Sequence, residues 1–430
     1  LQIKKCRGRL GVLREALAAR EPLTGQVGIG HTRWATHGEP NDVNAHPHVS
    51  QNGKLAVVHN GIIENYLEIK QSLLHKGVEF ASDTDTEVIV QLLEYYYKKS
   101  SNLMDVVYEV LNRIKGAYAM GILCSDFPEQ LIAVRKDAPL LIGYGADGNY
   151  IASDVTALLA HTRTVTYMED DEVAVLTADR VQILGRDGCF LEKEKHQIQW
   201  DVSAAEKGGY AHFMLKEIHE QPDALKNTIL PRLSKGLPDL TDDGIPDFIL
   251  KDCSRIHVIA CGTAMHAGMV ARALIEPGIR IPVTVSIASE FRYETPLIDE
   301  KTLVIVISQS GETIDPLAAM RLAQSYHAPV LAIVNVKGST IARESDYVLY
   351  THAGPEIAVA STKAYSVQLA ALYLIYCRMA LVRGVYSPKQ AEDFMKELLD
   401  AIPAMEAMIN RRDEIKNIVT HIISKNDAFF

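Results

Sequence analysis

The chain has 430 residues, with 44 Lys and Arg against 54 Asp and Glu and a formal net charge of −10. That length predicts two domains or more, each able to bury a core. The acidic balance argues against a nucleic-acid or anionic-membrane surface. The six cysteines (Cys6, Cys124, Cys189, Cys253, Cys261, Cys377) are scattered with no C-x-x-C pair, a reduced, cytosolic pattern rather than a disulfide framework. No signal peptide is visible. The longest apolar stretch, Val367–Val382, is interrupted by Gln368 and Arg378 and is too short to cross a bilayer, so it reads as a buried helix.

In chain order, a helix is expected over Leu10–Arg20, after an opening at Leu1 that carries no Met. Next come two stretches dense in donors, His31–Gly38 and Asn44–His48. His46 and His48 read as turn and core histidines. Their H-x-H spacing raises zinc, but no third ligand of clear pattern accompanies it, so no metal is expected. His59-Asn60-Gly61 follows a strand over Lys54–Val58 and carries a turn signal. Asn60 also offers a side-chain amide, beside the Gly61 N–H, to a developing oxyanion. Ser82–Glu87 is a capping pattern before an apolar helix, with one carboxylate to spare for a ligand ammonium group. Taken together these residues suggest a site for a zwitterion: Arg33 for a carboxylate, Asp85 for an amine, Asn60 and Gly61 for an oxyanion. No Cys or Ser nucleophile stands out beside them.

Short strands are expected at Lys54–His59, Ala117–Cys124, Leu131–Arg135, Tyr150–Ser153, Asp171–Thr177 and Val181–Leu184, with helices at Tyr66–Lys76 and Asp85–Lys98. Asp147-Gly148 and Asp187-Gly188 mark hairpins. Runs of strands with segregated helices give a layered α+β domain over 1–195. Residues 196–245 read as a linker that includes a helix over Ala211–Glu220, ended by Gln221-Pro222. From 246 to 387 apolar strands alternate with helices, the pattern of an α/β doubly wound parallel sheet. Residues 388–430 read as a charged helical connector, with Asp427–Phe430 resembling the opening of another strand.

The second domain's organising stretch is Leu303–Thr313, LVIVISQSGET. Five aliphatic residues run into a Ser/Gly turn and then a helix over Asp315–Ser325, so the turn joins a buried parallel strand to a helix N-terminus. Free N–H groups and the positive dipole end favour an anion such as phosphate there, and Ser308, Ser310 and Thr313 add hydroxyls. Cys261-Gly262-Thr263-Ala264 repeats the device after the strand Ile256–Ala260, and Val359–Lys363 opens the amphipathic run Ala364–Val382. Side by side at one sheet edge, these turns describe a pocket for a small phosphorylated polar molecule. No P-loop lysine and no G-x-G-x-x-G is present, which disfavours a nucleotide. Cys261 reads as a small buried residue rather than a nucleophile.

HTRWATHGEP, NAHPH, VVHNGIIEN and SDTDTE resemble the N-terminal-nucleophile glutaminase domain, an αββα layered fold, of the glutamine–fructose-6-phosphate aminotransferase (isomerising) family. KEIHEQP, ACGT, ASEFRY, SQSGET and EIAVASTKAY resemble that family's interdomain segment and sugar-isomerase (SIS) domain, and the match covers nearly the whole chain in the family's order. The resemblance implies an enzyme that converts L-glutamine and D-fructose 6-phosphate to D-glucosamine 6-phosphate and L-glutamate, on the route to UDP-N-acetylglucosamine. No cofactor is implied, and the expected setting is a cytoplasmic homodimer. Carried over by motif, Arg33, Thr36 and His37 would bind glutamine and Asp85 its amino group, Asn60 and Gly61 would form the oxyanion hole, and Trp34 would gate an ammonia channel. Thr263, Ala264, Ser308, Gln309, Ser310, Thr313, Val359 and Ser361 would surround the sugar phosphate.

The departures from the family are specific. Its nucleophile is a mature N-terminal cysteine whose own α-amine is the base, whereas here residue 1 is Leu and Cys6 sits in KKCRGR. Ala264 stands where the family usually has a second hydroxyl. A second SIS subdomain would lie beyond Phe430, so the expectation is an internal piece that turns over no glutamine. The alternatives are a sugar-phosphate-binding SIS module without catalysis, which would not need the glutamine-site residues, and a related amidotransferase or fructosamine-type deglycase using another sugar, of which the deglycase would need no ammonia source.

Overall fold

The computed structural model describes residues 1–19, 22–33, 37–100, 102–198 and 206–423. The chain divides into two compact units, 1–199 and 200–430.

The first unit contains α1 (Leu10–Ala18), β1 (His48–Val49), β2 (Leu55–Ile63), α2 (Tyr66–Leu74), α3 (Thr86–Tyr97) and α4 (Leu103–Leu111). It continues with β3 (Gly116–Cys124), β4 (Leu131–Lys136), β5 (Leu141–Tyr144), β6 (Asn149–Ala152), β7 (Thr164–Tyr167), β8 (Glu172–Leu176), β9 (Val181–Leu184) and β10 (His196–Gln197). Two antiparallel sheets result, in the orders β1-β2-β3-β4-β8-β9 and β10-β7-β5-β6. Apolar residues of α2, α3 and α4 share one core with Val57, Met120, Ile122, Ile132 and Val134 of the larger sheet. On the other face, a Cβ at Gly121 would sit 3.0 Å from Ile151 of β6, so the sheets meet closely there.

The Asn-Gly turn expected after Val58 is not formed. β2 runs on through Asn60 and Gly61, which pair with Ala119 and Tyr118 of β3. Gly61 has φ +120°, and a Cβ on it would lie 2.0 Å from the Ala117 carbonyl oxygen. Glycine is required by close approach of two strands, not by a turn.

The second unit contains α5 (Phe213–Ile229), β11 (Leu233–Ser234), β12 (Leu237–Pro238), α6 (Asp247–Asp252), β13 (Arg255–Ala260), α7 (Gly262–Ile279), β14 (Val283–Ile287) and α8 (Ala288–Phe291). Then follow β15 (Thr302–Ser308), α9 (Ile314–Ser325), β16 (Val330–Val334), α10 (Thr340–Glu344), β17 (Tyr347–Tyr350), α11 (Lys363–Val382), α12 (Pro388–Asn410) and α13 (Arg412–Ile423). The sheet order is β14-β13-β15-β16-β17, and every pairing is parallel. Alternate residues of the central strands feed opposite cores. Val258, Ile305 and Ile333 join α7 and α11, while Ile259, Val304, Val306 and Ala332 join α8, α9 and α10. That two-sided burial explains the unbroken apolar run in β15, all seven residues of which are buried.

The helix expected to stop at Gln221-Pro222 continues to Ile229. Pro222 has no N–H to give the carbonyl four residues back. The Gln221 side chain supplies the missing donor, its Nε2 reaching the Ile218 carbonyl at 3.1 Å. By length and composition α11 is apolar enough to cross a membrane, but 61% of its apolar window is buried inside this unit, the signature of a core helix. The strand opening expected at Asp427–Phe430 lies outside the described residues.

Candidate functional site

Polar side chains cluster once in each unit. In the second unit β13 and β15 run in register, with Ala260 opposite Ile307, so both strands end at the same edge. Beyond them the chain turns into α7 and α9, bringing two helix N-termini together where backbone N–H groups are unpaired. Thr263, Ala264, Ser308, Gln309, Thr313, Val359 and Ser361 border a cavity of about 240 Å³ at this edge.

The Ser308–Thr313 turn is tightly specified. Ser308 Oγ accepts the Gly311 N–H at 3.0 Å, and Thr313 Oγ1 lies 3.2 Å from it. Ser310 does not border the cavity; its hydroxyl accepts the Glu312 N–H at 3.1 Å. Gly311 has φ +65°, and a Cβ there would meet Ser339 Oγ at 2.0 Å. The Glu312 carboxylate accepts the N–H and hydroxyl of Thr340 at 2.6 and 2.9 Å, tying the turn to the start of α10.

Glu356 and Gln368 also border the cavity, as do Cys261, Ile307, Pro316 and Ala358. Glu356 Oε1 accepts the N–H groups of Thr362 and Ala364 at 2.9 and 3.0 Å, and its Oε2 accepts the Ser361 hydroxyl at 3.0 Å. It therefore caps α11 and leaves the Ser361 lone pairs to face a ligand. A carboxylate upstream of Ser-Thr-Lys is a readable cap signal. Gln368 gives none, because it falls among the apolar residues of α11. Val359 stands on the rim, 91% exposed. Burial pushes the Cys261 thiol above its ordinary pKa, which opposes a nucleophilic role.

In the first unit the expected glutamine-side residues have different fates. Arg33 turns its guanidinium to the carbonyls of Gly38 and Glu39 at 3.0 and 3.1 Å, and to that of His37. Asp85 is buried, with Oδ2 accepting the Ile63 N–H at 2.9 Å and Oδ1 lying 3.9 Å from His37 Nδ1. Capping of α3 falls to its neighbours. Thr84 Oγ1 accepts the Glu87 N–H at 3.3 Å, and the Glu87 carboxylate accepts the N–H groups of Ala81 and Ser82 at 2.8 and 2.6 Å. Trp34 and Thr36 lie outside the described residues.

Asn60 Oδ1 accepts the Nε2–H of His31 at 2.8 Å. With its oxygen engaged, Asn60 keeps its two Nδ2 hydrogens for another acceptor. His31 stacks on His46, ring centroids 4.3 Å apart, and His46 meets His48 edge-on at 5.0 Å. Thr84 and Thr86 hydroxyls lie 3.0 and 2.9 Å from ring nitrogens of His48 and His59. Burial, followed by the neighbouring histidines, lowers His46 to about 2. Burial likewise lowers His48 and His59 to about 4. All three are neutral and structural near pH 7. Among the described residues no group of three or more His, Cys, Asp or Glu is placed to hold a metal ion. A cavity of about 520 Å³ lies beside this cluster, bordered by His31, Arg33, His46 and the half-buried Cys6.

Residues 18–196 match the family model described as a glutamine amidotransferase domain, and residues 249–378 match that of the SIS domain. The chain is 48% identical over 431 residues to the glutamine–fructose-6-phosphate aminotransferase [isomerizing] of Caldanaerobacter subterraneus subsp. tengcongensis, covering 100% of this chain and 70% of that protein. It is 46% identical over 419 residues to the protein of the same name from Methanosarcina mazei, covering 95% and 68%. Among solved structures, the C-terminal domain of glucosamine-fructose-6-phosphate aminotransferase from Francisella tularensis is 38% identical, with a TM-score of 0.48 over 50% of this chain and 60% of that one. Nearly half identical to such relatives along its whole length, the chain belongs to the glutamine–fructose-6-phosphate aminotransferase (isomerising) family.

Proposed function

We propose that the chain supplies the glutamine-handling and sugar-phosphate-handling parts of an amidotransferase. The reaction moves the amide nitrogen of L-glutamine to D-fructose 6-phosphate, giving D-glucosamine 6-phosphate and L-glutamate. The observation that carries this reading is the convergence of the turns after β13 and β15 with the loop before α11 around one cavity. The phosphate dianion would sit at the N-terminus of α9, where N–H groups and the dipole favour negative charge. Ser308 and Thr313 would donate to its oxygens, and Thr263, Gln309 and Ser361 would meet the sugar hydroxyls. Ala264 would add a wall without a hydrogen bond, and Ser310 would act through the turn.

On the glutamine side, Arg33, Thr36 and His37 would hold the substrate and the Asp85 carboxylate its ammonium group. Asn60 and Gly61 would stabilise the oxyanion. Support comes from Asn60, whose oxygen is anchored by His31 so that its Nδ2 donors are oriented away from it. Trp34 would gate the passage of ammonia. The division into a glutaminase part over 1–195 and a sugar part over 246–387 belongs to the same proposal, as does a homodimer in the cytoplasm, a setting that the six free cysteines support.

Thermal unfolding with added ligands tests the reading. D-fructose 6-phosphate should raise the melting temperature of the second unit, and unphosphorylated D-fructose should not. No shift with D-fructose 6-phosphate, or an equal shift with both sugars, contradicts it.

A further inference from the structure

The cavity wall made by the loop before α11 is held from behind by α5. Glu217 of that helix is 1% exposed. Its Oε1 accepts the backbone N–H groups of Ile357 at 2.7 Å and Ala358 at 3.0 Å. Its Oε2 is buried with no hydrogen-bond partner. One turn further on, Glu220 takes the Lys363 ammonium at 2.7 Å, and Gln221 Oε1 accepts the Ser366 hydroxyl at 2.6 Å.

The loop's ends have anchors of their own. Asn335 binds the Ala353 N–H and the Gly354 carbonyl at 2.8 and 2.7 Å, and Glu356 binds Ser361, Thr362 and Ala364. Between these anchors, at Ala358 on the cavity wall and Ile357 just before it, the backbone is held by Glu217. Two successive N–H groups converging on one carboxylate oxygen form a short charge-assisted clasp, stronger than a neutral one.

We propose that Glu217 is a positioning residue of the sugar-phosphate site: by holding Ile357 and Ala358 it fixes the wall of Ala358, Val359 and Ser361 opposite the Ser308–Thr313 turn, without touching the ligand. The inference rests on the sugar-phosphate reading above. The phosphate turn leans on α10 through Glu312 rather than on Glu217, so recognition of phosphate and of the sugar body are separable.

Calorimetric titration of the whole chain with D-fructose 6-phosphate and, separately, inorganic phosphate tests this. Glu217→Ala should weaken D-fructose 6-phosphate by about tenfold or more, as for hydrogen bonds to a charged group, and leave inorganic phosphate unchanged. Glu217→Gln keeps an accepting oxygen and should restore most of the sugar-phosphate affinity. Unchanged D-fructose 6-phosphate affinity in Glu217→Ala overturns the inference, as does parallel loss of both ligands. Should the alanine variant not fold, hydrogen exchange on the unmutated chain decides: slow exchange at Ile357 and Ala358 relative to Val359 and Ala360 supports the clasp, and rates typical of an open loop overturn it. Failure of the unmutated chain to bind D-fructose 6-phosphate would instead sink the functional reading, and the inference with it.

Discussion

His31 Nε2 lies 2.8 Å from Asn60 Oδ1, joining the donor-rich segment before β1 to the middle of β2. The bond assigns the His31 tautomer, because a carbonyl oxygen can only accept. It also sets the face that Asn60 presents. Burial lowers the His31 pKa despite its bond to Asn60 Oδ1, so the ring is neutral where it does this.

Removing the His31 ring should cost the first unit a partly buried hydrogen bond and a stacked neighbour. His31→Ala is expected to lower its stability by about 1–2 kcal/mol. Urea unfolding followed by a probe in the first unit measures this, and an unmoved midpoint would show that the pair contributes nothing.

The buried histidines give a pH dependence whose sign follows from their lowered pKa values. In the unfolded chain they take up protons near 6.5, whereas His48 and His59 do so in the fold only near 4 and His46 near 2. The unfolded state therefore binds more protons between these limits, and stability present above 6.5 is lost as pH falls. At pH 5 each such histidine should cost about 2 kcal/mol. Thermal melts from pH 7.5 to 4.5 should show a falling midpoint, with a shallower fall in His48→Asn. A flat profile contradicts the neutral cluster.

Gly61→Ala should be far more damaging than an ordinary surface change. The added Cβ meets the Ala117 carbonyl at 2.0 Å, and the backbone is at φ +120°. A loss of about 3 kcal/mol or more is expected, since neither strand can yield without breaking the pairing. Circular dichroism of the variant checks this; a native melt would mean that β2 and β3 separate there at little cost.

Much of the second unit was legible in the sequence because a parallel sheet buried on both faces writes its strands as unbroken apolar runs, as in Leu303–Ile307. The turns after Ala260 and Ser308 were legible because Gly and hydroxyl residues stand at strand ends. Pro222 misled because the proline rule assumes an unfilled carbonyl, and here Gln221 fills the gap at Ile218. Asn60-Gly61 misled because the dipeptide is ambiguous: Gly61 answers a strand from elsewhere in the chain, which local pattern cannot reveal. Helix α4 is not among the expected elements, although Leu103, Val106, Val107 and Val110, all buried, carry its period. Glu217 was hidden for a different reason: its partners lie 140 and 141 residues away.

The edge formed by β13, β15 and the loop before α11 is proposed to bind a sugar phosphate. Calorimetric titration of the chain with D-fructose 6-phosphate, in the unmutated form and in Ser308→Ala, Ser310→Ala and the double variant, tests it most directly. Ser308 borders the cavity and Ser310 does not, so Ser308→Ala should lose about 1.5–3 kcal/mol of binding and Ser310→Ala less. Equal affinity in the unmutated chain and the double variant would remove the turn from the site and contradict the claim.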